Sequence, residues 1–262
     1  MQILDTIVLG LVQGLTEFIP VSSSGHLIIF QTFLSGASDH LFLEFINFGT
    51  LVALLVFFRH RISKILVDIF KNHNYRLARN IIITSIPAGI IGLASAKFIE
   101  SHAFFGSLVT VAVALFVVGV IMIVVEKLPR AADVKDGEHL TGWRALIIGL
   151  AQTIALIPGV SRSGATILSA RFVGLKPAQA AEYSFLASIP VMLGVTAKTF
   201  LGDRTYLLDN LSTLALSNLI AFISGMVAIG FLMKYLQNHS LAIFGWYRVV
   251  LAAILVVVLL VQ

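Results

Sequence analysis

Cysteine is absent from the 262 residues, and charge is scarce, with only 12% of the chain Asp, Glu, Lys or Arg. Without cysteine there is neither a disulfide framework nor a thiolate metal site. Soluble domains carry about 25% charged residues. With 58% hydrophobic residues, the chain has too little polar surface to cover a water-soluble body. The same shortage excludes a disordered protein and a nucleic-acid-binding domain. No Lys or Arg precedes Arg59, so the apolar start lacks the basic flank of a signal peptide. What remains is an all-α polytopic membrane protein, read as a single membrane domain over 1–262.

Long uncharged runs stand where the charge is missing. Residues 103–125 and 211–233 contain no Asp, Glu, Lys or Arg, and a bilayer crossing needs roughly 20 residues. Residues 41–58, 80–96, 183–197 and 241–261 read as further spans, interrupted only by Glu44 and Arg248, which makes six. Basic residues cluster between the spans. Arg59, Arg61, Lys64, Lys71, Arg76 and Arg79 accompany one acid, Asp68, and Lys127, Arg130, Lys135 and Arg144 mark the connector 127–142 and its end. By the positive-inside rule both regions are cytoplasmic, which puts 99–103 and 201–211 outside. The 19 Phe residues read as lipid-facing, and Trp143, Trp246 and Tyr247 as interface anchors. His40, His60, His73, His102, His139 and His239 lack ligand-like spacing, so zinc is not expected.

Two apolar regions are broken. Residues 6–33 are interrupted by Glu17, Pro20 and Ser22-Ser23-Ser24-Gly25, and 145–173 by Pro158-Gly159 and Ser161-Arg162-Ser163-Gly164. Their halves are too short to span and suit re-entrant helical pairs. A shift of 139 residues aligns Gly10, Leu11, Gln13, Val21, Ser22, Ser24 and Gly25 with Gly149, Leu150, Gln152, Val160, Ser161, Ser163 and Gly164. A shift of 138 aligns Glu44, Asn80 and Gly92 with Glu182, Asn218 and Gly230. The reading is two repeats, 1–126 and 143–262, each a re-entrant helical pair plus three transmembrane helices. Three spans invert the second copy, so the two broken pairs meet near the midplane, the first dipping in from outside.

The broken segments hold the chemistry. Gln13 and Glu17 share a helix face, and a carboxylate in an apolar helix marks a site. Gly10 and Gly14 allow another helix to approach. Ser22, Ser23 and Ser24 precede an apolar run, where a serine caps the helix and the next N–H groups form an anion site. His26 lies in that first turn. Arg162 needs an anionic partner, Glu17 or a ligand phosphate, and its planar fork suits phosphate oxygens. Ser161, Ser163 and Thr166 can donate to the same oxygens. Mg²⁺ or Ca²⁺ bridging Glu17, Gln13 and phosphates fits a one-carboxylate site. Glu44 and Glu182 rank second. Inverted repeats with broken helices also occur in transporters, so a polyprenyl-phosphate flippase or anion transporter is the alternative to an enzyme.

The segment Gln13-Gly14-Leu15-Thr16-Glu17-Phe18-Ile19-Pro20-Val21-Ser22-Ser23-Ser24-Gly25-His26 resembles the first signature of the undecaprenyl-diphosphate phosphatases, the bacitracin-resistance family. Pro158-Gly159-Val160-Ser161-Arg162-Ser163-Gly164-Ala165-Thr166 is similar to its second, and 181–186 also resembles the family. The resemblance implies a multi-pass enzyme of the bacterial plasma (inner) membrane. It hydrolyses undecaprenyl diphosphate, a polyprenyl diphosphate lipid, to undecaprenyl phosphate, which carries peptidoglycan precursors, and it confers bacitracin resistance. It further implies that Glu17 and Gln13 hold the divalent ion and Arg162 clamps phosphate. Ser23 or His26 is then nucleophile or acid/base, and Ser22, Ser161, Ser163 and Thr166 bind substrate oxygens. Many relatives have Glu where this chain has Gln13, so its metal has one charge fewer. With the first pair open outward, hydrolysis falls on the external, periplasmic side. Membrane lipid is the only other partner implied, and the oligomeric state, a homo-oligomer included, stays open.

Overall fold

The computed structural model describes residues 3–34, 39–128 and 133–261. Arg130 of the expected connector lies outside the described residues. Among these residues the regular structure is helical, apart from an isolated bridge between Val134 and Leu175. The chain begins with a pair of short helices, α1 (Ile3–Phe18) and α2 (Ser23–Leu34). Next come α3 (His40–Phe45) and α4 (Asn47–Phe57), a single apolar stretch interrupted at Ile46. Asp39 caps α3, accepting from the Phe42 amide at 3.0 Å. α5 (Arg59–Phe70) carries the basic cluster and buries no residue. α6 (Arg76–Ser101) and α7 (Leu108–Lys127) complete this half.

The second half opens with another short pair, α8 (Gly142–Ile154) and α9 (Arg162–Phe172). It continues through α10 (Pro177–Gly202), α11 (Arg204–Asp209), α12 (Leu211–Tyr235) and α13 (Ala242–Val261). The order of elements therefore recurs: helical pair, apolar stretch, short helix, two long helices. Packing crosses between halves. α1 lies on α12 and α8 on α6, while α4 contacts α12, α10 contacts α6, and α7 pairs with α13.

Among the described residues six stretches are long and apolar enough to cross a bilayer: His40–Phe57, Arg76–Ser95, Leu108–Lys127, Pro177–Gly202, Leu211–Tyr235 and Ala242–Val261. These are the six spans expected from the run lengths, with shifted ends. α6 continues to Ser101, and Ala103–Gly106 forms a 3-10 turn, so the following span starts only at Leu108. Ser107 sets that start, accepting from the Val109 amide at 3.2 Å.

Close approach in the first pair depends on glycine. A Cβ on Gly14 would lie 2.5 Å from the Ala221 carbonyl oxygen, and one on Gly10 would lie 2.8 Å from that of Ser217. α1 is thus held against α12 backbone to backbone, as small residues permit in lipid. Phenylalanine meets the lipid-facing expectation only in part, with Phe33, Phe116 and Phe231 exposed. Phe18, Phe42, Phe45 and Phe185 are among the largest fully buried side chains, and Phe18 meets Phe185 edge to face at 5.5 Å. Rings fill the irregular spaces that broken helices leave, where edge-to-face contacts add to dispersion.

Candidate active site between two helical loops

Both short pairs turn through the same backbone device. Pro20 follows the end of α1, and Ser22 then takes φ 78° before α2 begins. In the second pair Gly159 has φ 94° and Ser161 φ 75° before α9. Ser22 and Ser161 are counterparts under the 139-residue shift, and positive φ costs a non-glycine residue about 1–3 kcal/mol. Each then caps its helix. Ser22 Oγ accepts from the Gly25 amide at 3.3 Å and Ser161 Oγ from the Gly164 amide at 3.0 Å. The loops touch, since a Cβ on Gly25 would stand 3.4 Å from Gly159 Cα.

A buried arginine fastens them together. Arg248 of α13 is 0% exposed. Its Nε donates to the Pro20 carbonyl at 2.8 Å, Nη1 to Gly159 at 3.3 Å and Nη2 to Val160 at 2.8 Å. One guanidinium thus satisfies backbone acceptors from both turns, where exposed carbonyls would otherwise be costly.

The carboxylate of Glu17 lies where the loops meet. Its Oε1 is 2.6 Å from Arg162 Nη2. Its Oε2 accepts from Ser23 Oγ at 2.5 Å and from Gln13 Nε2 at 3.1 Å. Both charged side chains are largely enclosed, at 11% exposed for Glu17 and 19% for Arg162. Gln13 Nε2 also donates to Asn47 Oδ1 at 2.7 Å and Thr50 Oγ1 at 3.4 Å. Ser163 Oγ donates to the Glu17 backbone oxygen at 3.3 Å and lies 3.1 Å from Ser161 Oγ.

Of the residues singled out from sequence, Gln13, Glu17, Ser23 and Arg162 form one contact network. Ser22 and Ser161 serve as caps, and Ser163 buttresses the Glu17 backbone. Thr166 turns toward α10, bonded to Ser184 Oγ and, at 2.8 Å, to the Arg162 carbonyl. His26 also points elsewhere. Its Nδ1 lies 2.7 Å from the Ser22 carbonyl, which only accepts, so Nδ1 carries the proton. Nε2 then accepts from the Tyr247 hydroxyl at 2.7 Å. Tyr247 is therefore a partner of the loop as well as an outward-facing ring. Asn47 and Thr50 were not picked out from sequence, and Tyr247 was read only as an interface anchor and Arg248 only as an interruption of a span. Arg248 did leave a signal, as the lone charge in an apolar run of helix length. Glu44 accepts from Thr199 Oγ1 at 2.8 Å, and Glu182 pairs with Arg61 at 2.8 Å.

Ser23 faces a cavity of about 520 Å³, lined also by Gln13, Ser24, Glu44, Asn47 and Pro158. The residues beside it fit a hard divalent cation. Gln13 Oε1 is buried without a hydrogen-bond partner, and the nearby donors, Asn47 Oδ1 and the Glu17 carboxylate, are all oxygen. A single carboxylate among them suits an ion that shares its coordination with substrate phosphates. The local charge favours an anion. At the loops Arg162 and Arg248 outweigh Glu17, and α2 and α9 begin there; Glu44 adds a second carboxylate to the cavity lining.

Residues 6–254 match the family described as "Bacitracin resistance protein BacA". The chain is 37% identical over 260 residues to a protein of Methylobacillus flagellatus named "Undecaprenyl-diphosphatase", covering 96% of each chain. It is 39% identical over 264 residues to "Undecaprenyl-diphosphatase 1" of Clostridioides difficile, covering 97% of this chain and 95% of the relative. A protein of Enterococcus faecalis named "Undecaprenyl-diphosphatase" is 34% identical over 266 residues, with 95% of each covered. Matched over nearly its whole length and carrying six helices fit to cross a bilayer, the chain is a multi-pass membrane protein that belongs to the BacA family of bacitracin resistance proteins.

Proposed function

We propose that the protein is an undecaprenyl-diphosphatase, which removes the terminal phosphate of undecaprenyl diphosphate and leaves undecaprenyl phosphate. The observation that carries this reading is the Glu17 carboxylate, joined to Ser23 on one loop and Arg162 on the other. Ser23 Oγ, already donating to Glu17, attacks the terminal phosphorus as its proton passes to the carboxylate. The bond from that phosphorus to the bridging oxygen breaks, and undecaprenyl phosphate departs. Glu17 hands that proton to the departing phosphate. Water then attacks the phosphoserine and gives a proton to Glu17. The bond from phosphorus to Ser23 Oγ breaks, the Ser23 oxygen takes that proton back from Glu17, and inorganic phosphate leaves. Arg162 keeps one N–H on Glu17, and the rest of its planar fork is placed to hold the transferring phosphoryl oxygens. A divalent cation, Mg²⁺ or Ca²⁺, held by Glu17, Gln13 and Asn47 would supply Lewis-acid neutralisation of the phosphate charge. His26, with both nitrogens occupied, acts as an orienting residue for the Ser22 turn.

In this reading the two halves are an inverted repeat over 1–126 and 143–262, supported by the recurring element order and the matched turns at Ser22 and Ser161. The basic α5 faces the cytoplasm, and the Ser23 cavity opens to the periplasmic side of the bacterial inner membrane. There the enzyme recycles the lipid carrier of peptidoglycan precursors and withdraws the target of bacitracin. A hydroxyl set on a carboxylate beside an arginine favours hydrolysis over a flippase or anion transporter. Incubation with substrate labelled in the terminal phosphate tests the proposal. Label trapped on Ser23 supports it, whereas trapping on His26 would reassign the nucleophile.

A further inference from the structure

A cavity of about 300 Å³ lies apart from the catalytic loops, walled by α5, α6, α10 and the connector. It shares no lining residue with the Ser23 cavity. Its depth follows from the spans. Arg61 lies just past His40–Phe57, Leu77 at the start of Arg76–Ser95 and Gln179 at the start of Pro177–Gly202. Three span ends meet there, so the cavity stands at one bilayer interface, where lipid headgroups lie.

The connector wall is pinned in place. Asn80 Nδ2 donates to the Gly137 carbonyl at 2.9 Å and to that of Leu140 at 2.8 Å. Gly137 packs on the Tyr183 ring so closely that a Cβ would stand 2.3 Å from it. These contacts fix the segment that brings Lys135 and Asp136 to the cavity.

Two cations, Arg61 and Lys135, and two carboxylates, Asp136 and Glu182, line the space. That balance suits neither a bare anion nor a bare cation. Packing also leaves two buried groups with opposite needs. Arg61 Nε comes within 2.8 Å of Glu182 Oε1, yet its N–H is not aligned on that oxygen and is buried without an acceptor. Gln179 Oε1 is buried without a donor. Each such group is costly unless something supplies its partner. A ligand that satisfies both carries an N–H donor and an anionic oxygen.

We propose that this cavity binds a phosphoethanolamine headgroup, that of an aminophospholipid in the leaflet on the α5 side. Its primary ammonium donates to Gln179 Oε1 and lies among the Glu182 and Asp136 carboxylates. Its phosphate meets Arg61 and Lys135. A choline headgroup has the same charges but no N–H, and a glycerol headgroup has no cation for the two acids. Selectivity therefore rests on the ammonium protons. Once seated, the headgroup ties the connector to α5 and α10, so binding is visible as stability.

Thermal unfolding of the delipidated full-length protein, in micelles doped with one phospholipid at a time, tests this. Phosphatidylethanolamine should raise Tm by about 3 °C, and phosphatidylcholine or phosphatidylglycerol with the same acyl chains by less than about 1 °C. Gln179→Leu deletes the acceptor together with an unpartnered buried amide. It should unfold no earlier than wild type in choline lipid and lose the rise in ethanolamine lipid. Native mass spectrometry gives a second reading. Wild type should hold phosphatidylethanolamine about tenfold more tightly than phosphatidylcholine, and Gln179→Leu should hold the two within about twofold of each other. Equal Tm and equal retention across the three lipids would mean that water fills the cavity, and would overturn the proposal. Selectivity that survives in Gln179→Leu overturns it as well. Soluble glycerophosphoethanolamine at the same bulk concentration should give no rise, because it lacks the chains that concentrate a lipid at the interface. A rise equal to that from the lipid would assign the site to a soluble phosphoethanolamine ester and overturn the lipid source.

Discussion

Arg162 and Glu17 are 145 residues apart in sequence and 2.6 Å apart in space. Each sits next to a turn that positive-φ serine makes possible, and each belongs to a different half of the molecule. Neither half alone contains both the carboxylate and the guanidinium, so the pair exists only when the two turns are packed together. That requirement separates residues that do chemistry from residues that hold the turns, and the two classes should respond differently to substitution.

Divalent ions should be required. Chelation with EDTA is expected to stop phosphate release and added Mg²⁺ or Ca²⁺ to restore it, measured on purified protein in detergent. Gln13→Ala, which removes a neutral oxygen donor, should lower turnover about tenfold rather than abolish it. Gln13→Glu should lower the ion concentration needed for half-maximal rate, since it adds a charge to a site with one carboxylate. Activity indifferent to chelation would exclude this ion site.

The Ser161 turn gives a prediction of order rather than size. Ser161→Ala loses the cap on the Gly164 amide and keeps a Cβ at φ 75°. Ser161→Gly loses the hydroxyl too but removes the backbone strain, and glycine caps better than alanine. The glycine variant should therefore be more stable by about 1 kcal/mol, read as a Tm higher by roughly 2–4 °C. Equal melting temperatures would show that the turn is unstrained.

Arg248 should behave as a fastener. Arg248→Met leaves the Pro20, Gly159 and Val160 carbonyls without their donor, at about 1–3 kcal/mol for each orphaned group. Tm in detergent should fall by several degrees and turnover should be lost with it. Arg248→Lys, which keeps charge but not the planar fork, should recover only part of either. An unshifted Tm for Arg248→Met would contradict this role.

Sequence reading reached the architecture because lipid imposes it. Run length alone located the six spans, and breaks at Pro20 and Pro158-Gly159 located the two short pairs. Glycines four apart foretold a close helix approach to α1, though not that α12 makes it. The carboxylate and guanidinium were legible as charges that neither loops nor sidedness explain. Other features depend on distant partners that no local pattern encodes. Tyr247 meets His26 across 221 residues, which turns that imidazole away from the Ser23 cavity. Arg248 looked like an interruption of a span, because its three acceptors lie on turns 88 to 228 residues away. The phenylalanines were assigned correctly only in part for the same reason. Composition cannot distinguish a ring facing lipid from Phe18 packed on Phe185.

Phosphate release from undecaprenyl diphosphate by purified Glu17→Ala and Arg162→Ala, each checked for folding by its melting temperature, tests the central claim most directly. Both are expected to fall at least about 10³-fold below wild type, because each removes a group that meets the transferring phosphoryl or its nucleophile. Wild-type rates from a folded Glu17→Ala variant would mean that the Glu17–Arg162 pair only fastens two loops and that the reaction takes place elsewhere.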